Sequence, residues 1–446
     1  MAVHRHLDTA GLEDLVLLNG HKAQKRFLLD ALGLCPECAR VGEHLLAARE
    51  AGWLPEDYGI LEAELARSRF EAPALWEKLA RYSPEKRRGL IQDTDRFLSW
   101  GLCELLCRQS REVTTGDAVQ AVELAELAVL VADRLPANRP FEPEWLCELR
   151  ALAWAYLGNA RRVLGELRSA EEAFSRADEL WTKGEAEVGD PLGYGPVILD
   201  LQASLLRDQR RFREAVMYLD QVVAAYRDGR PEVRDTHLAG RALVNKAYTL
   251  DQMGEPERAL EALREAAPLV DSKRDPRLFL CLQHNLLLFL TNLGRHREAA
   301  ALLPKVDTLT REVGNALDLV RLRWAEGRIA AGLGQTARAV ELFQSVRQDF
   351  LTQGIGYDAA LVSLELAALY AREGKTAEMK ELAGEMLPVF QSRDVHREAL
   401  AALAVFQQAV AREAAGAELV GRVAAFLDRA RHDPGLRFDA EGGASA

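Results

Sequence analysis

The sequence predicts an all-α chain built as an α-solenoid of antiparallel helix hairpins, with a small helical domain at its N-terminus. Three observations carry that expectation. A small residue returns at a nearly constant interval: Ala170, Ala215, Ala259, Ala299 and Ala339, then more weakly Met379, at spacings of 45, 44, 40, 40 and 40 residues. Five residues before each stand Gly165, Arg210, Gly254, Gly294, Gly334 and Gly374, and glycine reaches the positive φ that ends one helix and turns the chain into the next. Twelve residues before each stand Gly158, Ala203, Ala247, Leu287, Gly327 and Ala367, all but Leu287 small, as close helix packing requires. A helix pair that recurs at a fixed period and cannot bury its apolar face alone stacks on its neighbours.

The bulk numbers agree. With 446 residues, 48% hydrophobic and 28% charged, the chain has the apolar content of a folded protein. Its 57 basic and 68 acidic residues leave a formal charge of −11, which argues against a protein that holds nucleic acid through its overall field. The N-terminus lacks the apolar run of a signal peptide and no later stretch approaches eighteen uninterrupted apolar residues, so a cytoplasmic protein without a membrane partner is expected. Six cysteines scattered over this length predict reduced thiols.

Taken in order, residues 1–50 form a small helical segment around "LLDALGLCPECARVGEHLL" (28–46). Cys35 and Cys38 have the spacing with which a tight turn presents two thiolates to one tetrahedral zinc, with His44 or His21 to complete the set; the alternative is a helix-helix turn with two half-buried cysteines. No other cofactor is called for. Residues 51–136 read as helical, with a polar break at "RYSPEKRRG" (81–89) and, in "DAVQAVELAELAVLVADRL" (117–135), the second helix of a degenerate unit. The array proper occupies 137–392, and "AEVGDPLGYGP" (186–196) reads as a long loop between its first two clear units. Residues 393–433 predict two amphipathic helices that cap the last apolar face, and 434–446 a disordered tail.

The unit 151–184 resembles the tetratricopeptide repeat: Trp154, Leu157, Gly158, Gly165, Ala170, Phe174 and Ala177 all fall on its consensus positions, and the resemblance extends over roughly 117–390. The period of 40 or more, against about 34 in that family, and Leu287 at a normally small site are departures. The longer units resemble those of bacterial peptide-sensing regulators. The resemblance implies a right-handed superhelix whose first helices line a concave surface. Carried over position by position, that surface collects Asn159 and Arg162, then Asp200 and Arg207, then Arg241, Asn245 and Tyr248, then His284 and Asn285, then Arg321, Trp324 and Arg328. An Asn side chain donates to a peptide carbonyl and accepts from a peptide N–H at once, while arginine clamps a carboxylate with two hydrogen bonds. The expected partner is a protein or peptide segment, acidic or ending in a free carboxylate. The alternative for each residue is a link between neighbouring helices, or simple solvation. The family's lysine and asparagine clamp for acidic C-termini is not carried over, because Ala155 stands at its lysine site.

The CPEC stretch resembles the zinc-binding anti-sigma domain, in which a histidine stands four or five residues before the first cysteine; here those places hold Ala31 and Asp30. That resemblance implies a contact to a sigma factor or another transcription component. No phosphate loop, HExxH or GxSxG is present. Cys103 and Cys107 lie one turn apart in an apolar helix that reads as core, and His296 and His396 sit among charged residues. The chain is therefore expected not to be an enzyme. The function expected is a protein- or peptide-binding adaptor or regulator in bacterial cytoplasmic signalling, linked to transcription control. The alternatives are a sensing, inhibitory or recruiting subunit of a multi-protein effector such as a protease or defence complex, and a structural scaffold.

Overall fold

The structure, a computed structural model, describes residues 58–114, 116–137, 141, 143–188, 192–229, 233–391, 406, 410 and 417–430. The CPEC segment, with Cys35, Cys38, His44 and His21, lies outside them, as does the tail. The described residues divide into two compact units, up to Met253 and from Gly254 onward. The boundary falls within the array.

In the first unit, α1 (Tyr58–Ala80), α2 (Pro84–Asp93), α3 (Trp100–Val113) and α4 (Ala118–Arg134) precede α5 (Pro143–Val163), α6 (Leu167–Val188), α7 (Gly195–Asp208), α8 (Phe212–Asp228) and α9 (Thr236–Gln252). The second unit holds α10 (Pro256–Ala266), α11 (Pro276–Asn292), α12 (His296–Val313), α13 (Ala316–Gly332), α14 (Thr336–Thr352), α15 (Gly356–Glu373), α16 (Thr376–Gln391) and α17 (Ala417–Ala430). Every described helix longer than one turn is an α-helix, and consecutive helices pack as hairpins: α3 with α4, α5 with α6, α7 with α8, α11 with α12 and α13 with α14.

The repeat pattern acquires its physical cause here. The alanines at 170, 215, 259, 299 and 339 are completely buried, and Met379 is 4% exposed. Five of the intra-hairpin turns share one hydrogen-bonded loop. Gly165 N–H donates to Arg162 C=O and Glu166 N–H to Arg161 C=O, and the same two bonds recur at 210–211, 294–295, 334–335 and 374–375. The residue at the turn is left-handed, with φ between 69° and 90° for Gly165, Gly254, Gly294, Gly334 and Gly374. Arg210 adopts it too, at φ 63°, despite its side chain.

The small site twelve residues upstream is filled from the partner helix. A Cβ on Gly158 would stand 2.8 Å from Cδ2 of Phe174, and one on Gly327 would stand 2.6 Å from Cε1 of Phe343. Glycine on α5 or α13 thus makes room for an aromatic ring on α6 or α14. At the departing site Leu287 is fully buried, while Leu303, which the pattern sets opposite it, is only half buried. Leu303 there lines a cleft of about 630 Å³ with Pro304, Leu319 and Leu322.

Two expectations are corrected, the first being the loop over 186–196, which is shorter because α6 runs on to Val188 and α7 opens at Gly195. The break predicted over 81–89 is confined to 81–83, since Pro84 opens α2, where its missing N–H leaves no bond unmade. The interruption that matters lies at 94–99, where a single 3₁₀ turn (Asp95–Phe97) leads into Ser99, whose hydroxyl caps α3 by accepting from Leu102 N–H. The degenerate unit is present as α3 and α4, the latter capped by Asp117. Of the terminal cap, α17 is described: Val420, Val423, Phe426 and Leu427 are buried, and the Tyr357 hydroxyl donates to the Leu427 carbonyl. Among the described residues no helix is long and apolar enough to cross a membrane.

Candidate functional site

Side chains at fixed repeat positions on the first helix of each hairpin share one face, because residues three, four and seven apart on a helix lie along one stripe. Those positions hold the expected binding residues, and the structure shows what each one touches.

In the first unit they gather into two groups. On α5, Asn159 is 6% exposed and its Oδ1 accepts from Arg162 Nη2 and Nε at 3.1 and 3.3 Å. Arg162 also pairs with Asp208 at the end of α7. Arg207 Nε lies 3.7 Å from the other oxygen of Asp208, and its guanidinium stacks 5.2 Å over the ring of Tyr248 on α9. Burial lowers the Arg207 pKa from its usual value.

The second group surrounds Asp200 on α7, which is 4% exposed. Its Oδ1 accepts from Asn245 Nδ2 at 2.9 Å. Its Oδ2 faces two guanidinium groups, Arg241 at 3.6 Å and Arg111, from α3, at 3.8 Å. Arg111 also hydrogen-bonds the buried Tyr156 of α5.

In the second unit, His284 Nε2 lies 3.0 Å from Thr310 Oγ1, and burial lowers its pKa. Asn285 Nδ2 lies 3.8 Å from Cys281 Sγ. Arg277 on α11 pairs with Asp318 on α13. From α13 to α15, Arg321 lies 3.8 Å from the buried Asp358, and Trp324 Nε1 and Arg328 Nε each meet Glu365 at 3.1 Å. Trp324 stands edge-on to Phe350, with ring centroids 5.8 Å apart.

The acidic partners Asp208, Asp318, Asp358 and Glu365, together with Arg111, Arg277 and Tyr156, are the residues that sequence reasoning missed. A signal for several of them existed. Asn245 reaches 45 residues back to Asp200, Arg162 reaches 46 forward to Asp208, and Trp324 and Arg277 each reach 41 forward. These separations are about one repeat period, so opposite polarities one period apart mark neighbouring first helices.

These side chains supply hydrogen-bond donors, positive charge and aromatic surface. The hydroxyl that stands beside an imidazole here, Thr310 against His284, is completely buried and donates to the Val306 carbonyl at 2.7 Å. Cys103 is buried, its thiol raised well above the usual range chiefly by burial, and it donates to the Ala128 carbonyl at 3.4 Å. Among the described residues, no three His, Cys, Asp or Glu side chains gather in a way that would hold a metal ion.

Comparison with known proteins agrees with this architecture. The family model for the tetratricopeptide repeat matches residues 240–267, which run from within α9 through the following turn and α10. A Rap protein solved in complex with Competence and Sporulation Factor is similar in fold, with 13% identity over 75% of this chain and 88% of that one and a TM-score of 0.51. The apo form of RapI is similar over 83% of this chain and 98% of its own, with 14% identity and a TM-score of 0.53. No curated protein sequence matches the chain. The fold is a tetratricopeptide-like solenoid of helix hairpins.

Proposed function

We propose that this chain is a protein- or peptide-binding adaptor or regulator of bacterial cytoplasmic signalling, linked to transcription control, and that it takes a polypeptide segment on the face made by first helices within a unit. The observation that carries the reading is that, within each unit taken by itself, Arg and Asn with Tyr or Trp recur from one first helix to the next. They lie on helices whose apolar sides are already spent on hairpin packing, so this face is left to recognition. Asn and Arg there can bond to an extended backbone and to acidic groups, and exposed Tyr248 (37%) adds an aromatic anchor. The likeness in fold to a Rap protein solved with Competence and Sporulation Factor supports the same reading.

The test is a comparison of partners recovered from the native host by the wild-type chain and by Tyr248→Ala/Asn245→Ala, both in the first unit. Selective loss of a stoichiometric partner is expected. Recovery of every partner at wild-type yield by a correctly folded double variant would rule out recognition on this face.

A further inference from the structure

We propose that Arg111, Arg241 and the Tyr226 hydroxyl, all in the first unit, form a binding site for a carboxylate presented by the polypeptide ligand. The inference rests on the function proposed above and names the chemistry that the face selects.

The first argument is unspent hydrogen-bonding capacity. The two guanidinium groups approach the same oxygen of Asp200 at 3.6 and 3.8 Å, both beyond hydrogen-bond distance, while the other oxygen is taken by Asn245. Among the described residues Arg241 makes no hydrogen bond at all, and Arg111 makes one, to Tyr156. A guanidinium carries five N–H donors in a fork that matches a carboxylate, and a half-buried one seldom leaves all of them unused. Arg111 and Arg241 side chains are 35% and 22% exposed, so they remain reachable above the buried carboxylate.

The second argument is a buried polar atom without a partner. Tyr226, near the end of α8, is 3% exposed and its hydroxyl makes no hydrogen bond. Burial raises its pKa, and the charges that act on it are those of Arg241, Asp200, Tyr156 and Arg111. The hydroxyl thus stays protonated, a donor within the field of that cluster. A buried donor left unmade costs free energy that a native structure normally avoids. An arriving carboxylate oxygen satisfies it.

The third argument is charge. Arg111 and Arg241 face one carboxylate, Asp200, and Arg162 and Arg207 likewise face one, Asp208. Each group is one anion short within a chain of formal charge −11. The corresponding side chains of the second unit are balanced, with Arg277, Arg321 and Arg328 against Asp318, Asp358 and Glu365. The excess is local to the first unit, and it complements an acidic side chain or a free C-terminus.

The experiment uses the full chain and four matched mixtures of random heptapeptides, with a C-terminal carboxylate or amide and with the central residue fixed as Glu or Gln. Retained peptides are quantified by affinity selection and mass spectrometry. Carboxylate-bearing mixtures should be enriched at least fivefold over the amidated Gln mixture, and the two single-carboxylate arms tell a terminal group from a side chain. Arg111→Gln/Arg241→Gln should bring the enrichment close to one. Tyr226→Phe should weaken it severalfold with no loss in Tm, because the deleted hydroxyl bonds to nothing in the free protein. That second variant keeps the test open should the double variant fold poorly. Equal retention of charged and neutral mixtures, or enrichment untouched by the folded variants, overturns the carboxylate site and leaves peptide binding standing. Retention of no mixture counts against both.

Discussion

The size match between Gly158 and Phe174 gives the most exacting test of how this sequence makes this fold. A Cβ added at 158 would lie 2.8, 2.9 and 3.1 Å from Cδ2, Cε2 and Cγ of the Phe174 ring, where carbon contacts are normally 3.5–4.0 Å. The ring is 4% exposed and has little room to retreat. Overpacking of this kind costs about 1–3 kcal/mol, and replacing a mid-helix glycine by alanine returns about 0.8–1 kcal/mol. Gly158→Ala should therefore lose about 1 kcal/mol net. Phe174→Leu alone should lose about 1–2 kcal/mol through the cavity it leaves. Together they create an Ala and Leu pair, the combination found at the same repeat positions in Ala203 and Leu219, which share one buried cluster. The double variant should lose less than the sum of the singles, with a coupling of about 1 kcal/mol. Native-state hydrogen exchange at amides of α5 and α6 measures the local free energies that a repeat array requires. Strictly additive losses would show that the small site has nothing to do with the ring, and the packing account of the repeat would fail.

Two further predictions concern single residues. Arg210 is the turn residue without glycine, and its left-handed backbone (φ 63°) costs a side-chain-bearing residue about 1–2 kcal/mol, partly offset by glycine's greater freedom when unfolded. Arg210→Gly should therefore stabilise the α7 and α8 hairpin by about 0.5–1 kcal/mol in the same exchange measurement, and no change or a loss would contradict the strain. Glu104 lies at the α1, α3 and α7 junction, bonded by Arg69 Nε and Nη2 at 2.7 Å each and by the Tyr194 hydroxyl, which also accepts from Trp100 Nε1 at 3.0 Å. Burial opposes its ionisation, but Arg69, Tyr194 and Arg108 together hold its pKa below the ordinary value. The resulting stabilisation is present above the unfolded pKa of about 4.3 and is lost as pH falls through the folded value. Glu104→Gln should be less stable than wild type at pH 7, and the gap should narrow on acidification below about pH 4.3. Parallel Tm profiles from pH 7 to 3 would refute it.

The fold was legible because each repeat position answers to one local demand. A left-handed turn calls for glycine, a close helix contact for alanine, and a ring on one helix for an absent Cβ on the other, as at Gly165, Ala170 and Gly158 with Phe174. These demands act within about twenty residues of chain, so they leave a periodic trace. Pro84 misled for the converse reason. As a residue it marks a break, yet at the first position of a helix it starts one. The polar face was legible only in outline. The sequence places Arg162, Arg207, Arg241 and Asn245 on the first helices, but what they bond to depends on the stagger between one hairpin and the next.

That stagger decides how the face can work. Where an arginine meets its acid closely, as Arg328 meets Glu365 at 3.1 Å, a ligand must break an existing charge-assisted bond before it gains a new one. Where the pair stands apart, as Arg241 and Arg111 do from Asp200, the charge is positioned and the donors are unspent, so a carboxylate gains its bonds without displacing any. Asp200 then acts as a counter-charge that fixes the two arginines in place beforehand, which lowers the entropy lost on binding. It also sets a limit on selectivity. Asp200→Asn removes the anion that competes with the ligand, so it should strengthen carboxylate binding at low salt while loosening the arginines that shape the site. Discrimination between a carboxylate and other anions should weaken as affinity rises, and the two effects separate in a competition between a Glu-bearing heptapeptide and inorganic phosphate.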